Sequence, residues 1–278
     1  WSILLWYILE KSLQLKNIKN EELFIVKSFI TSDTLSSLCQ TYGITNFDGK
    51  VGFSDLSQIA AEQMILGKVN LGIFEESNGF TISGNPNIND NHKSHFLEKD
   101  GMLAMTLICE LLAYLKSQQS SISKFLDKLY LAKTMDYFVT SRTQIPTQGM
   151  FDGVVGHTKK KNLMKNIEEY ADEILSKLKF KENTSIANIP ISDVKKFSTG
   201  KYDDKFWKNF PDEGIRFYLD SKNNHITVRN SGTESKIRIF IQYQVSDITE
   251  ENFLNKKIKN KKLIEKIDSE FRKNIIKL

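Results

Sequence analysis

A chain of 278 residues, 40% of them apolar and 11% aromatic, is long enough for two ordinary domains and too apolar for a disordered segment. Its 39 basic residues exceed its 34 acidic ones by five, and the densest lysine cluster, after Asn255, is interspersed with Asn and Ile. Such a mild balance points neither to nucleic acid nor to a membrane surface. The opening run from Trp1 to Leu9 is apolar, but Glu10 and Lys11 follow at once, so it is too short to cross a bilayer, and no cleavage site is visible. The chain begins with Trp and enters a helical pattern with no leading strand, from which earlier residues are expected.

Residues 2–14 read as an amphipathic helix, 22–26 as a short buried strand, and 32–40 as a helix that starts at a Ser-Asp-Thr cap. Residues 69–74 form a further strand ending at Glu75. Gly101 to Lys116 is strongly helical, with Met102, Met105, Leu107, Leu111, Leu112 and Leu115 as its apolar members. Residues 84–94 are too rich in Asn and Pro for a regular element and read as a surface loop, after which a second helix runs through 121–131. This order predicts an α/β domain with a mostly parallel, mixed sheet.

The segment from Gln144 to Met150 carries turn-forming residues, and a domain boundary is placed near residue 140, giving domains 1–140 and 141–278. Beyond it, a long helix near 159–178 precedes strands at 189–194, 215–219, 225–229 and 236–244, with Asp220 to Asn224 as a hairpin turn. The charged segment 250–277 closes the chain as a helix, so the second domain is expected to be α+β with an antiparallel sheet. Cys39 and Cys109 lie inside apolar helical patterns and are expected to be buried free thiols in a reducing, cytoplasmic setting.

Three stretches carry chemistry. In Val228-Arg229-Asn230-Ser231-Gly232-Thr233-Glu234-Ser235-Lys236, a tight turn between strands offers the hydroxyls of Ser231 and Thr233, the close backbone approach of Gly232 and the planar fork of Arg229. A phosphate suits it; an ordinary polar hairpin turn has the same composition. In Gly72-Ile73-Phe74-Glu75-Glu76-Ser77, a strand ends in two carboxylates and a hydroxyl, suited to a pair of sugar hydroxyls but also usual for a solvated strand end. No His or Cys stands at ligand spacing, and one Glu pair is thin for calcium, so no metal site is expected here. In His95 to Gly101, Asp100 can cap the following helix, while Lys99 can turn a positive charge toward a phosphate. The four histidines give no Ser-His-Asp or Cys-His arrangement, and no Walker or Rossmann glycine pattern occurs.

Together these stretches resemble the α-D-phosphohexomutase family of phosphoglucomutases and phosphomannomutases. Arg229, Ser231, Gly232, Thr233, Glu234 and Lys236 match its phosphate-binding R-P-S-G-T-E-P-K. Glu75 and Ser77 match the sugar loop G-E-x-S-G, and His95 to Gly101 matches H-I-x-E-K-D-G, with Lys99 as an active-site cation. Asn230 and Ser235 replace prolines, and Phe74 replaces the Gly before the first Glu.

The resemblance covers the family's third and fourth domains. It implies interconversion of hexose 1-phosphate and hexose 6-phosphate through a phosphoserine enzyme, with Mg²⁺ and a hexose 1,6-bisphosphate intermediate. The phosphoserine loop and the D-G-D-x-D-R metal loop do not occur in this sequence. The implied role is therefore sugar and phosphate binding, with catalysis dependent on the amino-terminal domains of the same enzyme and with residues 140–150 as a closing hinge. A stand-alone, non-catalytic sugar-phosphate-binding module is the alternative.

Overall fold

In a computed structural model, which describes residues 1–13, 19–82, 97–145, 151–197, 214–231 and 234–276, the chain divides into two compact units between Tyr137 and Phe138.

The first unit runs α1 (Ser2–Leu13), β1 (Leu23–Ser28), α2 (Thr34–Tyr42), β2 (Thr45–Gly49), α3 (Phe53–Ile65), β3 (Val69–Glu75), β4 (Gly79–Thr81), α4 (Gly101–Ser117) and α5 (Ile122–Leu131). Its sheet has the order β2-β1-β3-β4, with β1 parallel to both β2 and β3 and β4 turned back antiparallel on β3. Both faces are covered, which is why β1 is buried at every position and reads as a continuous apolar run rather than an alternation. Leu23 and Ile25 face the cluster built by α1, α2, α4 and α5, while Phe24 and Val26 face the smaller cluster under α3.

The second unit runs β5 (Phe138–Ile145), α6 (Gly153–Lys179), β6 (Ser185–Ile186), β7 (Ile189–Pro190), β8 (Asp193–Lys196), β9 (Ile215–Tyr218), β10 (His225–Asn230), β11 (Ile237–Gln244) and α7 (Phe253–Ile276). A five-stranded antiparallel sheet of order β5-β11-β10-β9-β8 presents Ile215, Phe217, Ile226, Val228, Ile237, Ile239 and Ile241 to α6 and α7. By the strand period of two, the opposite face carries Arg216, Thr227, Arg229, Arg238 and Phe240. The observed fold is thus a mixed-sheet α/β domain followed by an antiparallel α+β domain. Among the described residues, no helix is long and apolar enough to cross a membrane.

Several expectations are corrected. The strand read over 189–194 is two elements: Ile189 and Pro190 pair with β6 around Ala187 and Asn188, both at positive φ as a two-residue hairpin demands, and β8 begins only at Asp193. Gln144 and Ile145, read as part of a turn-rich boundary, lie in β5, an edge strand in which Arg142 and Gln144 alternate with the core-side positions of Val139 and Ile145. Residues 146–150 of the proposed hinge and the Asn-rich stretch 84–94 lie outside the described residues.

In α4, Ala104, Leu111 and Leu115 are buried, whereas Met102, Met105 and Leu112 are exposed, because its apolar residues outnumber what one face can bury. Cys109 lies on the exposed side of the same helix, so only Cys39 is a buried thiol; both are free.

Candidate functional site

Each unit carries one cluster of the sequence-predicted residues, at the ends of strands. In the first unit the cluster forms at the carboxyl end of β3. Glu75 is the strand's last residue and 4% exposed, and the Lys99 ammonium stands 2.6 Å from its Oε2. Lys99 is brought there from 24 residues away by the entry into α4. The Asp100 amide donates to the Phe80 carbonyl at 2.8 Å, and the Asp100 carboxylate accepts from the Leu103 N–H at 2.8 Å, capping the helix. The Lys99 ammonium also lies 5.6 Å from the centre of the Phe53 ring, and its side chain keeps 46% of its surface in water.

Backbone and rings fix Glu75 further. The Trp1 indole N–H donates to the Glu75 carbonyl at 3.0 Å, and the Trp1 ring stacks on Phe80 with centroids 5.4 Å apart. Phe74, in the place where the family motif has Gly, turns its ring over Gly72, where a Cβ would meet it at 2.5 Å. Asn78 takes φ 65°, a left-handed conformation that Asn accepts more readily than most residues. Gly79 leaves room for the Glu75 carboxylate, since a Cβ there would stand 2.8 Å from Oε2. The Ser77 hydroxyl donates to Glu76 Oε1 at 2.6 Å, and Glu76 Oε2 accepts from Ser28 at 3.4 Å.

Beside this loop, at the same end of the parallel sheet, lies a cluster that no motif announces. The ammonium of Lys27, wholly buried on β1, is 3.0 Å from Asp33 Oδ1 and 3.0 Å from Asp48 Oδ1, and donates to the Thr31 carbonyl at 3.0 Å. Three donors meet three acceptors. Burial would push the Lys27 pKa down, but the charges of Asp48 and Asp33 and their hydrogen bonds outweigh it, and the net direction is upward.

In the second unit the cluster sits where β10 passes into β11. Arg229 is directly opposite Arg238 in the ladder, so two guanidinium side chains share one face. Ser231 is 5% exposed, and its N–H donates to the Lys236 carbonyl at 3.0 Å. Glu234 pairs with Arg238, and Lys236 Nζ lies 3.7 Å from its other oxygen. The hydrogen bond from Arg238, then its charge, holds the Glu234 carboxyl below the usual carboxylate range. Lys160 of α6 donates to the carbonyls of Ser231 and Glu234 at 2.8 and 2.9 Å.

Gly232 and Thr233, expected in this turn, and His95 lie outside the described residues. Arg238, Lys160 and the Lys27 cluster were not foreseen as site residues. The only sequence signal was a lysine at a position of the α6 core stripe and a lysine closing an apolar strand. Among the described residues, no group of three or more His, Cys, Asp and Glu is placed to hold a metal ion, so the residues described do not fit an Mg²⁺ site.

Residues 3–131 match the family model described as phosphoglucomutase/phosphomannomutase, alpha/beta/alpha domain III. A structure assigned as a phosphomannomutase from Thermus thermophilus shares the fold, with a TM-score of 0.51 and 15% identity over 98% of this chain and 40% of that one. Parafusin, a phosphoglucomutase from Paramecium in its open form, gives 0.47 at 19% identity over 90% of this chain and 37% of that one. An N-acetylglucosamine-phosphate mutase in its substrate complex gives 0.46 at 12% identity, over 95% of this chain and 42% of that one. No curated protein matches in sequence. The chain spans 37 to 42% of the length of these three structures. Residues 3–131 are thus similar in sequence to domain III of the phosphoglucomutases and phosphomannomutases, and the chain shares the fold of the Thermus thermophilus structure.

Proposed function

We propose that this chain binds the sugar and the non-transferring phosphate in an enzyme that interconverts hexose 1-phosphate and hexose 6-phosphate. The observation that carries the reading is the Lys99 ammonium 2.6 Å from the Glu75 carboxylate at the carboxyl end of an interior strand. Ligands of α/β sheets lie at such ends. A buried carboxylate held in place by a half-exposed cation is ready to accept hydrogen bonds from vicinal hydroxyls, with the Ser77 hydroxyl beside it, while the cation lends positive potential to a phosphoryl group.

In the second unit the support is electrostatic. Arg229 faces Arg238 in the ladder, and Arg238 is paired with Glu234, so basic side chains gather at the turn. An anion bound between Arg229, Lys236 and the Ser231 hydroxyl would meet that positive charge, and Gly232 and Thr233 complete the motif in sequence. Phosphoryl transfer itself is assigned to the phosphoserine and Mg²⁺ of the family's other domains, with hexose 1,6-bisphosphate as intermediate, and none of those steps is given to residues of this chain. The two free cysteines fit a reducing, cytoplasmic setting.

The test is calorimetric titration of the chain with glucose 6-phosphate and mannose 6-phosphate. Binding is expected, weakened at least about tenfold by Arg229→Ala, which removes charge-assisted hydrogen bonds. Unchanged affinity in Arg229→Ala counts against the phosphate assignment. Mutase turnover by this chain alone, with Mg²⁺ and glucose 1,6-bisphosphate added, would refute its role as a binding half.

A further inference from the structure

The side chains that α6 turns inward follow a helical stripe: Gly156, Lys160, Ile167, Ala171 and Ile174 are buried, with Leu163 and Met164 half-buried between them. One member is a lysine. Its neighbours Lys159 and Lys161 are exposed, whereas Lys160 is 8% exposed, at a helical position where an apolar side chain would be the ordinary choice. An ammonium is withdrawn from water at a cost, and here its donors go to two backbone carbonyls, those of Ser231 and Glu234, which bracket positions 232 and 233.

We infer that Lys160 is a positioning residue for the anion-binding turn between β10 and β11, an inference that rests on the phosphate reading of that turn. Two consequences follow from the geometry. The Glu234 carbonyl, which also accepts from the Lys236 N–H at 2.8 Å, is held toward α6; the planar trans peptide then directs the Ser235 N–H away from α6. Carbonyl oxygens, which would repel an anion, are thereby kept on the helix side. The ammonium also adds a fixed positive charge behind the turn, on the side opposite to the one Arg229, Lys236 and Arg238 reach from the strands. Lys160 touches no sugar or phosphate in this account; it sets the backbone that does.

The test uses the whole 278-residue chain and inorganic phosphate, titrated calorimetrically at low temperature where each variant is folded by circular dichroism. Lys160→Met keeps the apolar stem and removes the charge; phosphate affinity is expected to fall about tenfold or more, and Lys160→Arg, which keeps donors and charge, to restore part of it. A merely structural lysine would lower the melting temperature and leave the affinity of the folded protein unchanged, and that result overturns the inference.

Should Lys160→Met fail to fold, the wild-type protein decides. Added phosphate is expected to shift the Lys160 side-chain ammonium resonance together with the amides of Ser231, Glu234 and Ser235, and amides that move while Lys160 does not overturn it. Arg229→Ala is the control: loss of binding there with binding kept in Lys160→Met defeats only the inference about Lys160. Binding kept in Arg229→Ala removes the phosphate site, and the inference with it.

Discussion

Replacing Lys27 by Met tests whether the buried charge cluster of the first unit holds the ends of β1 and β2 in place. The Lys27 side chain is 0% exposed, Asp48 1% and Asp33 10%, and the two carboxylates are each 3.0 Å from the ammonium. Met fills most of the lysine stem, so the loss is electrostatic rather than a cavity. It leaves two carboxylates without their cation in a site closed to solvent, and breaking a buried pair in this way costs about 3–5 kcal/mol. At about 4 °C per kcal/mol for a unit of this size, the midpoint of its thermal unfolding should fall by roughly 12–20 °C.

The assay is fluorescence-detected melting, since Trp1 and Trp6 both lie in this unit. Neutralising the partners as well, in Lys27→Met with Asp33→Asn and Asp48→Asn, should recover most of the loss, because an uncharged set no longer pays for desolvated charge. A single variant within about 1 kcal/mol of wild type, or a triple variant no better than the single, refutes the account. The pH dependence has a definite sign. A folded lysine with a raised pKa stabilises fully below the ordinary lysine value of 10.5, and the stabilisation is lost as the pH climbs through the raised folded value. Lys27→Met should therefore flatten the alkaline limb of the stability curve.

Gly79→Ala places a methyl 2.8 Å from both Glu75 Oε2 and Phe53 Cδ2, and should cost about 1–3 kcal/mol while weakening sugar-phosphate binding, read by melting and calorimetry on one sample. Asp100→Ala removes the cap of α4 and should cost about 1 kcal/mol; because Lys99 enters the site through that cap, sugar-phosphate affinity should fall with it. Burial pushes the Cys39 thiol up to about 12, whereas Cys109 is exposed. A disulfide reagent at about pH 8 should thus titrate one thiol quickly in the native protein and the second only after unfolding, and two fast thiols would contradict the placement of Cys39.

The long elements were legible because each shows a single period: α2, α5, α6 and α7 carry a helical stripe, and in β9, β10 and β11 every second residue, from Ile215 to Ile241, faces the core. Residues 45–65 were not. In α3 the buried positions include Ser57 and Gln63 as well as Phe53, Leu56 and Ala60, which dilutes the apolar stripe. In β2, Asn46 and Asp48 give the strand the composition of a turn, yet Asn46 donates to Asp48 at 2.9 Å and Asp48 pairs with Lys27 on the neighbouring strand.

The site divides along the same line. Glu75, Ser77, Lys99, Arg229, Ser231 and Lys236 were nameable because their motifs are local in sequence. Lys160 and the Lys27 cluster act through partners on other elements, Lys160 and Ser231 being 71 positions apart, and no local pattern records such a contact.

The two unforeseen lysines serve the backbone in the same way, each within its own unit. Lys27 donates to the Thr31 carbonyl in the loop between β1 and α2, where Thr31 shares a 2.7 Å hydrogen bond with Ser28 and Ser28 reaches Glu76 of the proposed sugar loop. Lys160 donates to the Ser231 and Glu234 carbonyls of the proposed phosphate turn. A loop that recognises a hydroxyl or an oxyanion must present donors and hold its own carbonyls aside, and a loop alone has too few contacts to do so against its conformational entropy. A buried ammonium meets both needs with one side chain, since its donors take up carbonyls and its charge favours anions nearby. Replacing such a lysine by a neutral side chain is therefore expected to relax the loop and weaken the ligand together. Replacing Arg229, which the reading above places on the phosphate, should weaken binding.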